Sequence, residues 1–169
     1  PPADRPFTAR DAEGAEVRRP VSETAPLAAF VWKTVADQFA GRITLFRVYQ
    51  GVLTSDSTVR NVTRETDERL GSLMSMQGKT AVPVTEVRAG DLGAVAKLKD
   101  ARTGDTLAGP KAGLTFAPMA VPEPVLSYAI EPKSRGDEDK IGTAMQRLRE
   151  EDPSIRYDRD PQTHELLLS

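Results

Sequence analysis

Short runs of alternating hydrophobic and polar residues fill the middle of this 169-residue chain. Between residues 36 and 61, an apolar stretch lies between turns at 37–41 and 54–57, which predicts a strand entering a small antiparallel barrel. The same pattern predicts further strands at residues 30–35, 42–53, 57–62, 68–77 and 94–98, and a short last one after the turn at 103–106. Strands spaced about ten residues apart and broken by Gly, Asp and Ser turns are typical of a closed barrel. We therefore predict a β-barrel over residues 26–117.

A different pattern follows this barrel. Residues 118–124 contain three prolines, which remove backbone donors and favour extended structure, so we predict a stiff connector there. Residues 125–130 predict a strand, and residues 155–157 and 165–168 predict a hairpin. Residues 137–151 predict a helix, because apolar residues recur at i, i+3, i+4 and i+7: Ile141, Ala144, Met145 and Leu148.

This βαββ order is three quarters of a ferredoxin-like fold. We predict that residues 125–169 form an incomplete α+β domain, and that the fold class is mainly β. With one helix over its sheet, this part should be less stable than the barrel, or should dimerise. Residues 1–25 are rich in Pro, Ala and charged residues without periodicity, and predict a linker or extended lead-in.

The composition excludes several functional classes. The net charge is -2, from 23 basic and 25 acidic residues, so any contact with RNA requires a local basic patch. The chain has no cysteine and one histidine, which excludes a thiolate or histidine-rich metal site. No apolar run approaches the ~18 residues of a membrane span. We expect a soluble, cytoplasmic protein with no membrane partner.

Two motifs suggest a chemical function, but the spacing of their residues excludes it. The Gly78, Lys79 and Thr80 triplet would need a further glycine five residues earlier to form a phosphate loop, and that position is Leu73. A turn between strands is the favoured interpretation. The acidic clusters at 137–139 and 150–152 lie about 20 Å apart at the two ends of one helix, so they cannot act together. The residues alone therefore indicate a barrel joined to part of an α+β domain, without a catalytic constellation.

Six blocks of sequence, in order, resemble elongation factor G, a bacterial translational GTPase that moves tRNA and mRNA through the ribosome. The second block reads Gly-Arg-Ile-Thr-Leu-Phe-Arg-Val-Tyr-Gln-Gly, and the third reads Ala-Gly-Asp-Leu-Gly-Ala-Val. The blocks lie at residues 27–34, 41–51, 89–95, 103–107, 122–125 together with 130–133, and 148–153. The resemblance covers residues 25–169. It implies a translation-factor-type β-barrel, the second domain of the family, followed by part of the third domain.

The resemblance implies a central fragment that supplies ribosome docking and inter-domain relay. GTP and magnesium are implied for the parent protein, whose GTP-binding domain is expected outside this segment, and no cofactor or enzymatic activity is expected of the fragment. The implied partners are small-subunit ribosomal RNA and protein, and the adjacent GTPase domain. The residues expected to contact the ribosome are in the loop at 37–42 and nearby: Asp37, Gly41, Arg42, Arg60 and Arg64. Those expected to face the GTPase switch regions are Asp152, Pro153 and Ser154.

Departures from the family pattern leave two questions open. Gln38 stands where many members have proline, and the segment at 76–79 differs from the family type, which suits a specialised elongation factor G-like paralogue. The alternative function is a stand-alone RNA- or protein-binding β-barrel module without GTPase activity.

Overall fold

The computed structural model describes residues 4–37, 41–110 and 113–169, without the side chains of residues 135, 138 and 139. It divides into two compact units, Pro1–Met119 and Ala120–Ser169. This division falls inside the connector predicted at 118–124. None of the helices in the described part is long and apolar enough to cross a membrane.

The first unit is built from strands joined by short turns. In the described ranges these strands are β1 (Phe7–Arg10), β2 (Glu16–Arg19), β3 (Ala28–Asp37), β4 (Gly41–Gln50), β5 (Val52–Thr54), β6 (Thr58–Asn61), β7 (Thr66–Arg69), β8 (Leu73–Gln77), β9 (Thr80–Val84), β10 (Glu86–Arg88), β11 (Leu92–Ala96) and β12 (Thr106–Ala108). The main sheet has the order β7-β6-β12-β3-β4-β11-β8-β9, and β10 pairs with β5. All of these pairings are antiparallel. The mainly-β prediction is confirmed.

Two of the predicted strands are each divided into two in the structure. The predicted strand at 42–53 is two strands, because Gly51 has φ +72° and a Cβ there would lie 2.7 Å from Leu27 Cα. The predicted strand at 68–77 is also two strands, β7 and β8. β9 was not predicted: it contains Pro83 and lies at the edge of the sheet, where a proline is tolerated.

One hydrophobic core lies on the inner face of these strands. Its fully buried side chains come from strands that are far apart in sequence: Val31, Phe46, Val48, Leu53, Leu73, Val95 and Leu107. Gly93 allows β11 to pass directly over this core, since a Cβ there would lie 2.7 Å from the ring of Phe46. A register shift between Val31 and Lys33 makes Trp32 the extra residue of a β-bulge, and its side chain is 40% exposed.

The N-terminal segment differs from the linker predicted for residues 1–25. Strands β1 and β2 form a hairpin, and Phe7 and Ala9 are buried in a second apolar cluster. The ring of Phe7 lies 4.9 Å from that of Tyr49 and 5.5 Å from that of Phe116, centroid to centroid. Strands β1 and β2 have four residues each, which is too short to show a hydrophobic period. The sequence pattern therefore does not predict them, and their position is set by contacts with residues distant in sequence.

The second unit has the predicted βαββ order. Its elements are β13 (Tyr128–Ile130), α1 (Glu138–Glu151), β14 (Tyr157–Arg159) and β15 (Leu166–Leu168). β15 lies between β13 and β14 and is antiparallel to both, as in a split βαβ unit. Among the side chains described in this unit none is buried, so its core is thin compared with that of the first unit.

Candidate functional site

Positive charge is concentrated in the first unit. Residues 1–119 contain 16 Lys and Arg against 14 Asp and Glu, whereas residues 120–169 contain 7 against 11. Two of the acidic residues in the first unit, Glu68 and Asp105, are each only 2% exposed. Their carboxylates face the interior, so the surface of this unit is more basic than its composition indicates.

Glu68 anchors a loop that links β11 to β12. Its carboxylate accepts hydrogen bonds from three successive backbone N–H groups, those of Lys99 at 2.9 Å, Asp100 at 2.7 Å and Ala101 at 2.6 Å. These bonds to a charged acceptor compensate the cost of burying the carboxylate. We name residues 97–105 the anchored loop.

Asp105 anchors the other end of this loop. Its Oδ2 accepts from Asn61 Nδ2 at 2.8 Å, from Arg64 Nε at 2.6 Å and from the Arg102 backbone N–H at 2.9 Å. The Arg64 side chain is 35% exposed and that of Asp105 3%. Arg64 therefore neutralises a buried carboxylate and ties the turn after β6 to the anchored loop.

The β3–β4 hairpin holds the loop from a third side. Arg42 Nη2 donates to the backbone carbonyls of Leu98 and Lys99, both at 2.5 Å. The Lys97 backbone N–H donates to the Arg42 carbonyl at 2.8 Å. Thr103 Oγ1 accepts from the Thr34 backbone N–H at 3.0 Å. The backbone of the anchored loop is thus held by strands β3, β4, β6 and β7.

Three cationic side chains project from the anchored loop into solvent: Lys97, Lys99 and Arg102. Within the described residues none of the three forms a salt bridge. A rigid backbone with exposed cations is a preorganised surface for an anionic partner. The sequence contains the signal, Lys-Leu-Lys-Asp-Ala-Arg, but only the fold shows that its backbone is fixed.

The structure gives the predicted contact residues unequal roles. Asp37 and Gly41 pair at the end of the β3–β4 hairpin, and residues 38–40 of the predicted loop lie outside the described part. Arg42 and Arg64 both contact the anchored loop. Arg60 forms an exposed salt bridge with Asp67 at 3.2 Å. These two residues pair across strands β6 and β7, whose connecting turn contains Arg64.

Comparison with known families agrees with this architecture. The model described as "Elongation factor G domain 2" matches residues 26–109, and "Elongation Factor G, domain III" matches residues 121–169. The chain belongs to the elongation factor G family. A crystal structure of a protein from Thermus thermophilus is similar, with a TM-score of 0.75, 32% sequence identity and coverage of 85% of this chain. This chain spans 22% of that protein.

In domain III, the three residues predicted to face the GTPase switch directly follow α1. The Asp152 backbone N–H donates to the Leu148 carbonyl at 2.8 Å. Asp152 Oδ1 accepts from the Ser154 backbone N–H at 2.9 Å and from its hydroxyl at 2.6 Å. With Pro153 between them, these contacts stop the helix and fix the chain that leaves it. Their role towards a GTPase domain stays a prediction.

The Gly78, Lys79 and Thr80 triplet of domain 2 lacks the geometry of a phosphate loop. Gly78, with φ +62°, and Lys79 form the tight turn between β8 and β9, closed by the pairing of Gln77 with Thr80. This turn does not lead into a helix, as a phosphate loop must. In the described ranges no three His, Cys, Asp or Glu side chains are grouped so that they could hold a metal ion.

Proposed function

We propose that this chain is the central part of a ribosome-dependent GTPase of the elongation factor G type, and that its domain 2 docks on small-subunit ribosomal RNA through the anchored loop. The observation that carries this proposal is the set of exposed cations, Lys97, Lys99 and Arg102, on a loop whose backbone is hydrogen-bonded to buried Glu68 and Asp105.

The chemistry of the loop suits an RNA backbone. Phosphates supply most of the affinity for basic proteins, and folded RNA is recognised largely by shape and by backbone contacts. Because the loop is ordered before binding, little conformational entropy is lost when its cations meet phosphates. Arg42 and Arg64 would act mainly by holding the loop, and Arg60 is partly neutralised by Asp67.

The rest of the mechanism is conformational. GTP and magnesium would bind in a domain of the parent protein, where hydrolysis would change how domain 2 and domain III pack and so bias tRNA and mRNA movement. The segment at 152–154 would face the switch regions of that domain and report the nucleotide state. This work would take place in the cytoplasm, with the ribosome as partner.

The test is a charge reversal on the anchored loop. Lys99→Glu and Arg102→Glu should each weaken binding of the chain to isolated small ribosomal subunits by about 10-fold at low salt, with the slope of log affinity against log salt falling by about 1 for each lost phosphate contact. Sedimentation of the labelled chain with subunits at several salt concentrations measures both quantities. Arg64 is a poor choice, since its removal leaves buried Asp105 without a cation.

Arg88→Glu is the control for net charge, because Arg88 is exposed and the change in net charge is the same; it also removes the ion pairs of Arg88 with Glu23 and Glu86. It should weaken binding by less than about 2-fold if the loop is the contact. Equal losses for Arg88→Glu and Lys99→Glu would mean that only net charge matters, and would exclude docking through the loop. Tight binding by both variants would mean that another surface contacts the subunit, and would exclude docking through the loop. No binding by the unmodified chain would favour the alternative of a barrel module that recognises another partner.

A further inference from the structure

An open groove of about 800 Å³ crosses the outer face of the domain 2 sheet from β3 to β9. Leu73 and Val95 face the core, so their neighbours Met74 and Ala94, which pair with each other across β8 and β11, lie on the opposite face. The groove is lined on that face by side chains from β3, β4, β8 and β11, among them Trp32, Leu45, Met74, Met76 and Leu92.

The apolar character of this surface is unusual for the outside of a small barrel. Outward-facing positions of a half-buried antiparallel sheet are normally polar. Here Trp32 is 40% and Leu92 58% exposed, and both line the same groove. Exposed apolar residues that are grouped in a concave surface mark a binding site more often than scattered ones do.

We propose that this groove binds a small planar aromatic molecule that carries one anionic group. The Trp32 indole offers a flat face for stacking, and the sulfur atoms of Met74 and Met76 make favourable contacts with aromatic rings. The volume lies within the range of about 300–1,000 Å³ usual for small-molecule sites.

The charged residues of the groove set the polarity of its ligand. Lys79 lies on the exposed β8–β9 turn and forms no salt bridge within the described residues. Asp37 lies across the groove on β3. An anionic group next to the ammonium of Lys79 is attracted to it. The ligand therefore lies with its negative end at the β8–β9 turn.

The size of the groove favours a free small molecule over a protein. Five neighbouring strands at about 4.8 Å spacing make it about 20 Å long. Along each strand its apolar part is two or three residues wide, so its area is about 200 Å². A stable protein interface needs about 800 Å² from each partner.

Trp32 provides the readout, because it is the single tryptophan of the chain. The probe is 1-anilinonaphthalene-8-sulfonate, an aromatic anion, and its uncharged analogue is N-phenyl-1-naphthylamine. We expect saturable quenching of Trp32 fluorescence by both probes at one site, with the sulfonate binding several-fold more tightly at low salt. Concentration-dependent shielding of Trp32 without any probe would show self-association instead and would overturn the proposal.

Three variants locate the site. Met76→Glu should weaken the sulfonate at least 10-fold, and Leu126→Glu, the same change in charge at a 66% exposed leucine of domain III, should change it less than 2-fold. Lys79→Glu should weaken the sulfonate but leave the neutral analogue unchanged. Equal effects of Met76→Glu and Leu126→Glu, or no effect of Lys79→Glu on the sulfonate, would overturn the proposal. Unchanged urea unfolding of each variant confirms that the fold is retained.

Discussion

Glu68 and Asp105 carry out the same physical task with different partners. Glu68 is satisfied by three backbone N–H groups alone, whereas Asp105 also has the guanidinium of Arg64. Each buried carboxylate replaces its water by several protein donors, which is the condition for burying a charge without a large penalty. Both carboxylates therefore lie in the interior, although Asp and Glu are residue types that are usually exposed.

Glu68→Gln should destabilise domain 2 by about 1–3 kcal/mol, because one carboxylate oxygen becomes an amide NH₂ that cannot accept from a backbone N–H. Urea unfolding followed by Trp32 fluorescence measures the change, since Trp32 lies in this domain. Glu13→Gln, at an exposed position, serves as the control and should change stability by less than about 0.5 kcal/mol. An unfolding midpoint for Glu68→Gln equal to that of the control would contradict the anchoring role.

Asp160 gives domain III a pH-sensitive turn. Backbone N–H groups of Thr163 and Gln162, each 2.8 Å from Oδ1, lower the pKa of this carboxyl below its ordinary value. A carboxyl whose pKa is lowered by folding stabilises the hairpin above the unfolded pKa of about 3.9 and loses that contribution as the pH falls through the folded pKa.

The amide proton of Thr163 should therefore titrate with a midpoint below pH ~4 in an NMR pH series. In Asp160→Asn the side-chain oxygen still accepts these bonds but no longer titrates, so the same amide should show no such step. A midpoint at or above the ordinary aspartate value would refute the assignment.

At the scale of elements, the β1–β2 hairpin is attached to the barrel mainly by one aromatic cluster. Phe7, Tyr49 and Phe116 have ring centroids 4.9–5.5 Å apart, and Arg10 and Thr115 exchange backbone hydrogen bonds at 2.7 and 2.8 Å. Tilted aromatic pairs at such distances are favourable beyond their buried area. The hairpin is thereby part of the first compact unit and not an appended segment.

Phe7→Ala should lower the stability of domain 2 by about 3 kcal/mol, the usual loss for a buried phenylalanine. It should also make the first 20 residues far more sensitive to limited proteolysis. Arg18→Ala, on the exposed side of β2, should do neither. If proteolysis removes the hairpin at the same rate from the native chain and from the Phe7→Ala variant, the packing of Phe7 does not stabilise the hairpin.

The predicted helix shows how well a local pattern works when the element is long. The period of Ile141, Ala144, Met145 and Leu148 places the helix within one residue of the observed α1. The pattern does not predict the three-residue β10 or the edge strand β9, because three residues, or five that include a proline, carry too little periodicity. Short strands are specified by their partners, and the partner of β10 is β5, more than thirty residues away.

The two units of the chain differ in the number of side chains that they bury. Domain 2 has an extended buried core, whereas the described side chains of residues 120–169 include none that is buried. Since apolar burial is the main source of stability, the two units should not be equally resistant to opening.

Hydrogen exchange should therefore be at least about 10-fold faster for the amides of β13–β15 than for those of β3 and β4, which corresponds to a difference of more than about 1.4 kcal/mol in the free energy of opening. Exchange measured by mass spectrometry after proteolytic digestion resolves the two units. Sedimentation on the same sample distinguishes a monomer from a dimer. Equal protection of both units in a monomer would contradict the expectation drawn from burial.

Local pattern was enough for the fold class, for helix α1 and for the order of the second unit, because alternation and the 3.6-residue period are set by neighbours in sequence. Family membership likewise follows from residues in a fixed order. The roles of charged residues could not be assigned in this way. Arg64 and Lys99 look alike in sequence, yet one neutralises a buried carboxylate and the other extends into solvent from an anchored backbone. That distinction arises from contacts between residues more than thirty positions apart, which form only when the sheet has folded.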